Sequence, residues 1–418
     1  MKFPYGISDF KKIITKGYFY CDRTDKIPLL ENSNSQLFIR PRRFGKSLLL
    51  SMLENYYDVA KVDEFDDIFG GLKIAENPTE LRNSYYILRW DFSCVDTTGN
   101  AQDIKQSLYN HINVRIDGFI KYYNHKGYNL PPVTIKDDDA LSSIGSLLSS
   151  IRMTPYPVYL LIDEYDNFAN TVMMGGQSEK ARYDALGVLR ILFKAIKSST
   201  SGSMFDRVFI TGVSPVVLSD ITSGYNIASN IYFEPEFNDL CGFRENEVRS
   251  IVEKVASGCD PSLISENKQK TEEALSLMKT YYNGYLFSYG LEEYVYNPTL
   301  CLYFLEQFPK RCSYPRKMLD DNLATDEAKL QYIAQVPNGR DLLIQLTQNA
   351  HEVVVSRIST RFGISEMLND SLKDNAFLVS FLYFFGVLTL SGDNSVGEVK
   401  LKVPNLVMQG LLESLLVG

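Results

Sequence analysis

The sequence is poor in the residues that build disulfide frameworks and zinc sites. Its 418 residues include six cysteines, no two of which form a Cys-x-x-Cys pair. Its three histidines, His111, His125 and His351, lie far apart. This pattern argues against a disulfide-stabilised secreted domain and against a His/Cys zinc site. Such cysteine usage is typical of a reduced protein, so we expect a cytoplasmic chain.

Long hydrophobic segments are missing as well. The longest apolar run, residues 376–390, is interrupted by Gly386 and is shorter than the roughly 20 residues that span a bilayer. Residues 1–10 lack the apolar core of a signal peptide. We therefore expect no membrane partner, and we predict that residues 376–390 form a buried helix that continues into a strand.

Positive charge is not in excess. The chain has 43 Lys and Arg against 51 Asp and Glu, which gives a net charge of -8. This balance does not support a nucleic-acid partner, although a local basic patch would still allow one. Hydrophobic residues make up 45% and charged residues 22%, which excludes a disordered or fibrous chain. The length predicts two or three domains.

Short apolar runs alternate with helical patterns in the first half of the chain. This alternation predicts βαβ units and a parallel sheet. The run at residues 158–162 is continuously apolar, as in a strand that is covered on both faces. The predicted strands cover residues 36–40, 85–92, 158–162, 208–212 and 231–234, and the predicted helices cover residues 45–59, 104–123, 140–151 and 179–198.

The pattern changes after Gly242. Residues 245–308 and 320–385 are predicted to be helical. Residues 386–390 and 398–403 flank a Ser-Gly-Asp-Asn turn and are predicted to form a β-hairpin. Helices followed by a hairpin indicate a winged-helix type of unit. The polar segment 314–338 is the predicted linker.

A strand, a basic loop and a Gly-Lys-Ser helix start follow one another at residues 36–59. A phosphate-binding loop needs backbone N–H groups around a phosphate, a lysine on the β and γ oxygens, and a hydroxyl on Mg²⁺. Gly45, Lys46 and Ser47 meet these needs, and the helix N-terminus adds its dipole. The usual first glycine is replaced by Arg40. The alternative is an ordinary helix start after a basic turn.

An acidic pair ends the apolar strand at residues 158–162. The strand places Asp163 at the carboxyl edge of the sheet, where α/β folds bind ligands, and there it can hold Mg²⁺. Glu164 is the candidate residue that orients or deprotonates the attacking water. The alternative is a strand that stops at a polar turn. Asp166 and Asn167 extend the acidic cluster, either as support for it or as a solvated turn.

Several further residues are candidates for the same site. Thr211, followed by Ser214, ends a strand where a polar side chain can face the γ-phosphate, and a turn hydroxyl is the alternative. Arg42 and Arg43 suit phosphates, a partner subunit or nucleic acid, because arginine makes bidentate phosphate contacts. By analogy with other P-loop ATPases, three more residues are candidates, namely Asp22 and Arg23 near the adenine and Arg244 near the γ-phosphate.

The sequence resembles the predicted AAA-ATPase-like family of P-loop ATPases, whose members often precede a PD-(D/E)XK nuclease-like domain. The most distinctive motif is Arg-Pro-Arg-Arg-Phe-Gly-Lys-Ser at residues 40–47, since this family carries arginine in place of the first glycine. The likeness is strong over residues 1–308 and weaker over 309–390. Further matching motifs are Pro-Tyr-Gly-Ile-Ser-Asp-Phe at 4–10, Leu-Ile-Asp-Glu-Tyr-Asp-Asn at 161–167, Phe-Ile-Thr-Gly-Val at 209–213, Tyr-Asn-Gly-Tyr at 282–285 and Tyr-Asn-Pro at 296–298.

The resemblance implies an α/β fold with a P-loop NTPase core. We predict that the core covers residues 1–241, a helical lid 242–313, and a helical, winged-helix-like region 314–418. ATP and Mg²⁺ are the implied ligands, with Ser47 and Asp163 at the metal and with Glu164, Lys46 and Thr211 in catalysis. The expected nucleotide contacts are Arg40, Pro41, Arg42, Arg43, Phe44, Gly45, Lys46, Ser47, Leu48, Asp22 and Arg23.

Two departures from the family pattern affect the functional prediction. The usual Asp-Lys-Thr is Asp-Arg-Thr at residues 22–24, and the nuclease-like domain that would begin near residues 403–405 is missing, since the sequence ends at Gly418. We therefore expect no nuclease activity from this chain, whether it was cut or is naturally short. We predict Mg²⁺-dependent ATP hydrolysis that switches the C-terminal region, with a protein partner or a second copy as a candidate source of an arginine. The alternative is a nucleotide-gated protein or nucleic-acid binding module with little hydrolysis.

Overall fold

A computed structural model describes most of the chain. The described residues are 1–174, 178–201, 205–217, 228–258, 264–311, 314–315, 317–318, 327–348, 351–391 and 397–417.

A five-stranded parallel sheet lies at the centre of the fold, in the order β2-β3-β4-β1-β5. All six residues of its middle strand β3 are buried, as the continuous apolar run predicts. Ile39 is level with Gly212, and Ile162 is level with Ile210, so β1, β3 and β4 end at the same edge. The strands are β1 (Ser35–Ile39), β2 (Tyr86–Asp91), β3 (Val158–Asp163), β4 (Phe205–Gly212) and β5 (Ser229–Asn230).

Helices cover both faces of this sheet and confirm the predicted α/β class. The helix after β1 packs on β2 and β3, while the long helix after β2 packs on that strand. An Asn100–Asp103 capping box begins the long helix. The helices are α1 (Phe10–Thr15), α2 (Ile27–Leu30), α3 (Lys46–Tyr57), α4 (Phe65–Phe69), α5 (Ala101–His125), α6 (Ala140–Ile151), α7 (Tyr165–Met174) and α8 (Glu179–Ser201).

The predicted strand at residues 231–234 is displaced toward the N-terminus. Ile231 N still donates to Leu37 O at 3.1 Å, but the Tyr232 carbonyl accepts from the Arg40 guanidinium instead of from a strand. The ladder therefore ends early, and β5 contains only Ser229 and Asn230.

A helical region follows the sheet and has a core of its own. Val248, Met278 and Phe304 lie at its centre, and Phe3 from the N-terminus and Met408 from the C-terminal helix join it. Both ends of the described chain are therefore held by this region. Its helices are α9 (Glu245–Ala256), α10 (Ile264–Tyr282) and α11 (Pro298–Arg311).

The C-terminal region combines helices with a three-stranded antiparallel sheet in the order β6-β8-β7. The predicted hairpin is confirmed, since Thr389 pairs with Lys402, while most of its turn, residues 392–396, lies outside the described residues. Its elements are α12 (Glu327–Gln335), α13 (Gly339–Gln348), β6 (Glu352–Val355), α14 (Ile364–Leu368), α15 (Asn375–Phe384), β7 (Thr389–Leu390), β8 (Val399–Lys402) and α16 (Leu406–Val417).

Two predictions for this region are corrected. The predicted linker at 314–338 contains helix α12, which buries Leu330 and Ile333. Strand β6 lies in a segment predicted to be helical, because four residues are too few to show a period. The boundaries at residues 241 and 313 stay predictions, and residue 313 lies outside the described residues.

Helix α15, which precedes the hairpin, is buried in the interior. Every residue from Phe377 to Phe384 is buried. Tyr383 stacks with Phe233 at a centroid distance of 6.0 Å. This helix therefore has no free face with which to enter a nucleic-acid groove. Among the described residues, no helix has the length and apolar character needed to cross a membrane.

The turn after α15 lies directly against the phosphate loop. Gly386 has a φ of 78°, and a Cβ placed on it would lie 2.7 Å from the Pro41 Cβ. This approach requires glycine both for its left-handed backbone and for its missing side chain. The C-terminal region is thus in van der Waals contact with the loop at the carboxyl edge of the sheet.

We expect Gly386→Ala to lower the free energy of unfolding by about 2–3 kcal/mol, since it adds left-handed strain and a collision with Pro41. Gly127→Ala is the matched control, because Gly127 has a φ of 87° with open space around it. That control should cost only about 1 kcal/mol. Urea unfolding monitored by circular dichroism measures both variants. Equal losses would show that Pro41 does not restrict this position.

Candidate functional site

The phosphate loop closes around the ammonium group of Lys46. Arg43 and Gly45 have φ values of 68° and 89°, and these left-handed residues turn the chain from β1 into α3. The Lys46 Nζ donates to Arg40 O and Pro41 O, both at 3.0 Å. Lys46 is only 6% exposed, and burial lowers its pKa, which the negative charges of Glu164 and Asp163 partly offset. The loop therefore holds a buried cation at the start of α3.

The Arg40 side chain points away from this cation, which corrects its predicted role as a nucleotide contact. Its guanidinium donates to Tyr232 O at 2.9 Å and to Phe237 O at 2.7 Å. It also lies over the Phe38 and Phe287 rings, at 4.5 and 4.1 Å. Burial lowers the pKa of Arg40 to about 10. Arg40 therefore stabilises the fold through buried contacts, at the position where P-loops usually carry glycine.

Asp163 is held rigidly behind the cavity wall. Its Oδ1 accepts from Thr211 Oγ1 at 2.7 Å and from Glu164 N at 3.1 Å. Its Oδ2 is 3.3 Å from Arg89 Nη2. Thr211 is fully buried, so its hydroxyl contacts Asp163 and does not face the cavity. The prediction that Thr211 faces the γ-phosphate is therefore corrected to a positioning role.

Arg89 supports the site but belongs to none of the sequence motifs. This arginine lies on β2 and bridges Asp163 and Glu54 of α3, with 3.2 Å to the Glu54 carboxylate. The sequence does contain a signal for it, since Arg89 is the single cation of β2 and lies between the apolar residues Leu88 and Trp90. Arg89 thus connects the acidic strand end to the helix that begins at Lys46.

Glu164 has a strained backbone and faces the cavity. Its φ is 47°, in the left-handed region that a glutamate rarely adopts. Burial raises the pKa of its carboxyl, while the charges of Lys46 and Arg42 lower it. Strained non-glycine residues concentrate at functional sites. Glu164 therefore has both the position and the environment of a reactive carboxylate.

A cavity of about 640 Å³ lies between the sheet edge, the N-terminal segment and the helical region. This volume is within the usual range of small-molecule sites, about 300–1,000 Å³. The predicted site residues that line it are Arg23, Arg42, Arg43, Phe44, Gly45, Lys46, Ser47, Leu48 and Glu164. Their contact with nucleotide stays a prediction.

Other predicted site residues are engaged elsewhere. Asp22 accepts from Thr24 N at 2.9 Å and from Lys73 N at 2.8 Å, so it shapes a turn and does not line the cavity. Asp166 accepts from Val213 N and Ser214 N, both at 2.9 Å, and thus anchors α7 to the end of β4. The Pro41 carbonyl accepts a hydrogen bond from Lys46 Nζ. Neither Asp22 nor Pro41 lines the cavity, which corrects their predicted contact with nucleotide.

Arg23 lines the cavity but is already paired. It forms two hydrogen bonds to the Glu247 carboxylate, at 2.6 and 2.7 Å, and donates to Asp239 O at 2.8 Å. Arg244 forms an ion pair with the Asp239 carboxylate. These contacts join the N-terminal segment to the helical region, and both arginines take part in them.

The residues at the loop include oxygen donors of the kind that would hold Mg²⁺. Ser47 supplies a hydroxyl at the cavity wall, whereas the Asp163 carboxylate lies behind that wall, immediately before Glu164. Both are the hard oxygen donors that Mg²⁺ prefers. Among the described residues, no group of three or more His, Cys, Asp or Glu could hold a metal alone. A bound ion would therefore depend on phosphate and water for its remaining ligands.

Comparison with known proteins agrees with this geometry. A phosphate-binding loop at the edge of a parallel sheet, facing a cavity large enough for a nucleotide, is the arrangement of an ATPase-type module. The family model described as Predicted AAA-ATPase matches residues 4–222, and the chain belongs to this family. The resemblance inferred from the sequence is thereby confirmed.

Two individual proteins are similar to the chain. The "uncharacterized protein in vnfD 5′region" of Azotobacter chroococcum mcd 1 is 25% identical over 300 residues, which cover 71% of this chain and 50% of that protein. The chain thus spans about half the length of this curated relative. The Aeropyrum pernix ORC1 protein, solved in complex with DNA, is 9% identical with a TM-score of 0.27, and the match covers 97% of this chain and 90% of that one.

Proposed function

We propose that this chain is a Mg²⁺-dependent ATPase whose nucleotide lies in the 640 Å³ cavity. One observation carries the proposal. The buried Lys46 ammonium, held by loop carbonyls, and the Glu164 carboxylate belong to the same cavity and influence each other's charge. A cation for phosphate and a carboxylate for water, placed together at a sheet edge, are the two groups that phosphoryl transfer to water requires.

The residues would divide the work as follows. An ammonium has three donors, and the loop carbonyls use two, so Lys46 can also donate to phosphate. The N-terminal N–H groups of α3 add positive potential. Glu164 would orient the water and accept its proton, while Thr211 and Arg89 hold Asp163 in place. Mg²⁺, when bound near Ser47 and Asp163, would supply positive charge to the phosphates.

The surroundings of the loop support coupling to the helical region and to the C-terminal region. Phe44 packs edge-to-face on Tyr285 and Phe287, with centroids 4.9 and 5.2 Å apart. Thr299 Oγ1 at the start of α11 donates to Arg43 O at 2.7 Å. Gly386 contacts Pro41 as well. Three surfaces outside the sheet therefore contact the loop. A loop that adjusts to nucleotide would therefore displace these surfaces.

We expect Lys46→Ala to weaken ATP binding by about 10- to 100-fold, the effect of losing a charge-assisted hydrogen bond to phosphate. Isothermal titration calorimetry with Mg²⁺-ATP measures the change. Lys121→Ala is the control, because Lys121 is exposed and pairs with Asp117 on the surface of α5. Wild-type protein should also gain melting temperature with Mg²⁺-ATP. If it neither binds ATP nor gains stability, the proposed function is wrong.

The close packing around the loop also favours a second candidate, a nucleotide-gated switch with little hydrolysis. A clamped loop would retain nucleotide after binding. Comparison of bound with released phosphate separates the two functions, since only an ATPase releases many phosphates per chain. The buried face of α15 argues against this helix as a nucleic-acid reader in either case.

A further inference from the structure

Arg42 connects the phosphate loop to the helix that follows Glu164. It lies in the phosphate loop, is half-buried and lines the cavity. Its Nη2 donates to Asn167 Oδ1 at 3.2 Å, and Asn167 lies in the first turn of α7, three residues after Glu164. The guanidinium therefore spans from the loop to the segment that carries Glu164.

Arg42 lines the cavity and donates to a neutral amide oxygen, and this combination distinguishes it from Arg23, Arg40 and Arg89. Arg23 and Arg89 are bound to carboxylates. Arg40 is 1% exposed and bound to carbonyls behind the loop. A single bond of 3.2 Å to an amide oxygen is weaker than a charge-assisted bond. Arg42 can therefore exchange Asn167 for phosphate oxygens at a net gain.

We propose that Arg42 supplies, from within the same chain, the arginine that stabilises the transferred phosphoryl group. Asn167 is the residue on which its guanidinium rests between turnovers. The inference depends on the proposed ATPase function and deepens it, because it removes the need for an arginine from a partner or a second copy.

The chemistry assigns each group one task. The water oxygen forms a bond to the γ-phosphorus as the bond to the bridging oxygen breaks. The electron pair of that bond leaves with ADP. The water proton passes to Glu164 and from there to the phosphate product. Negative charge spreads over the three equatorial oxygens during this transfer, and two guanidinium N–H groups can bind two of them.

The test is single-turnover hydrolysis at protein concentrations that exceed ATP and span a 100-fold range. The wild-type rate should not depend on protein concentration. Arg42→Met should slow hydrolysis by about 100-fold, the usual effect of removing one preorganised donor, with ATP affinity changed less than it is in Lys46→Ala. Arg42→Lys should recover part of the rate. Arg249→Met is the control, since Arg249 pairs with Glu272 on an exposed surface.

A second measurement separates contact with the reacting group from a structural role. ADP with aluminium fluoride mimics the transferred phosphoryl group, and Arg42→Met should lose affinity for this complex while it keeps its affinity for ADP. Equal loss for both would assign Arg42 to structure and overturn the inference.

The remaining outcomes are also decisive. Wild-type hydrolysis in Arg42→Met, with ATP binding lost in Lys46→Ala, would overturn the Arg42 inference and leave the ATPase function intact. A rate that rises with protein concentration would show that an external arginine is needed and would overturn the Arg42 inference. ATP binding without turnover would overturn it as well and would favour the nucleotide-gated switch. Absence of ATP binding by the wild type would overturn the proposed function itself.

Discussion

Replacing Arg40 with glycine, the residue usual at this loop position, is expected to lower the free energy of unfolding by about 3–5 kcal/mol. The loss arises because the Arg40 guanidinium is 1% exposed and serves buried acceptors. Without it, the carbonyls of Tyr232 and Phe237 lose their donor, and the Phe38 and Phe287 rings lose the cation between them. A substitution that restores the common motif would thus damage the fold.

Urea unfolding of Arg40→Gly and Arg40→Lys measures this effect. Lysine keeps the charge but not the planar fork, so Arg40→Lys should fall between wild type and Arg40→Gly. ATP affinity should change far less in Arg40→Lys than in Lys46→Ala, because the Arg40 side chain does not line the cavity. If Arg40→Gly were as stable as wild type, the conclusion that the Arg40 side chain stabilises the fold would be wrong.

Glu164→Gln is expected to lower the rate of ATP hydrolysis by about 1,000-fold, within the range for loss of a general base. Glutamine has nearly the same shape but cannot accept the water proton. It also removes a negative charge from the cavity, so ATP affinity should be unchanged or higher. Steady-state phosphate release measures the hydrolysis rate, and calorimetry measures the ATP affinity. Glu80→Gln is the control, because Glu80 is exposed.

Two results would contradict this assignment. Phosphate release at the wild-type rate would show that another group activates the water. A parallel loss of hydrolysis and ATP binding would show that Glu164 holds the loop, and does not act on water. The left-handed φ of 47° at this residue makes the shape-conserving glutamine the appropriate variant.

Much of the core can be predicted because its signals are local. The apolar run of β3 needs only its own five residues, 158–162, to indicate a buried strand. Gly45, Lys46 and Ser47 are adjacent, and a helix start follows from their order alone. The class of fold, the hairpin and the combination of a lysine with an acidic strand end therefore follow from the amino-acid order alone.

The roles of individual polar side chains do not follow in this way. Arg40, Arg23 and Thr211 are all predicted to act on nucleotide, yet each meets its partner through tertiary packing. Residue type alone suggests a phosphate contact for every arginine near a phosphate-binding loop. Burial in the tertiary structure decides which of these arginines faces the cavity. The same holds for Arg89, because the two carboxylates that it contacts, those of Glu54 and Asp163, lie on different elements.

The sequence by itself therefore determined the parallel α/β core and the positions of Lys46, Ser47, Asp163 and Glu164 along it, because strand, loop and helix periods are set by neighbouring residues. Only the tertiary structure decided which side chains line the cavity and which support it. The reason is that a long polar side chain takes the partner that burial and charge make available, and that partner lies up to 224 residues away, as in the Arg23–Glu247 pair.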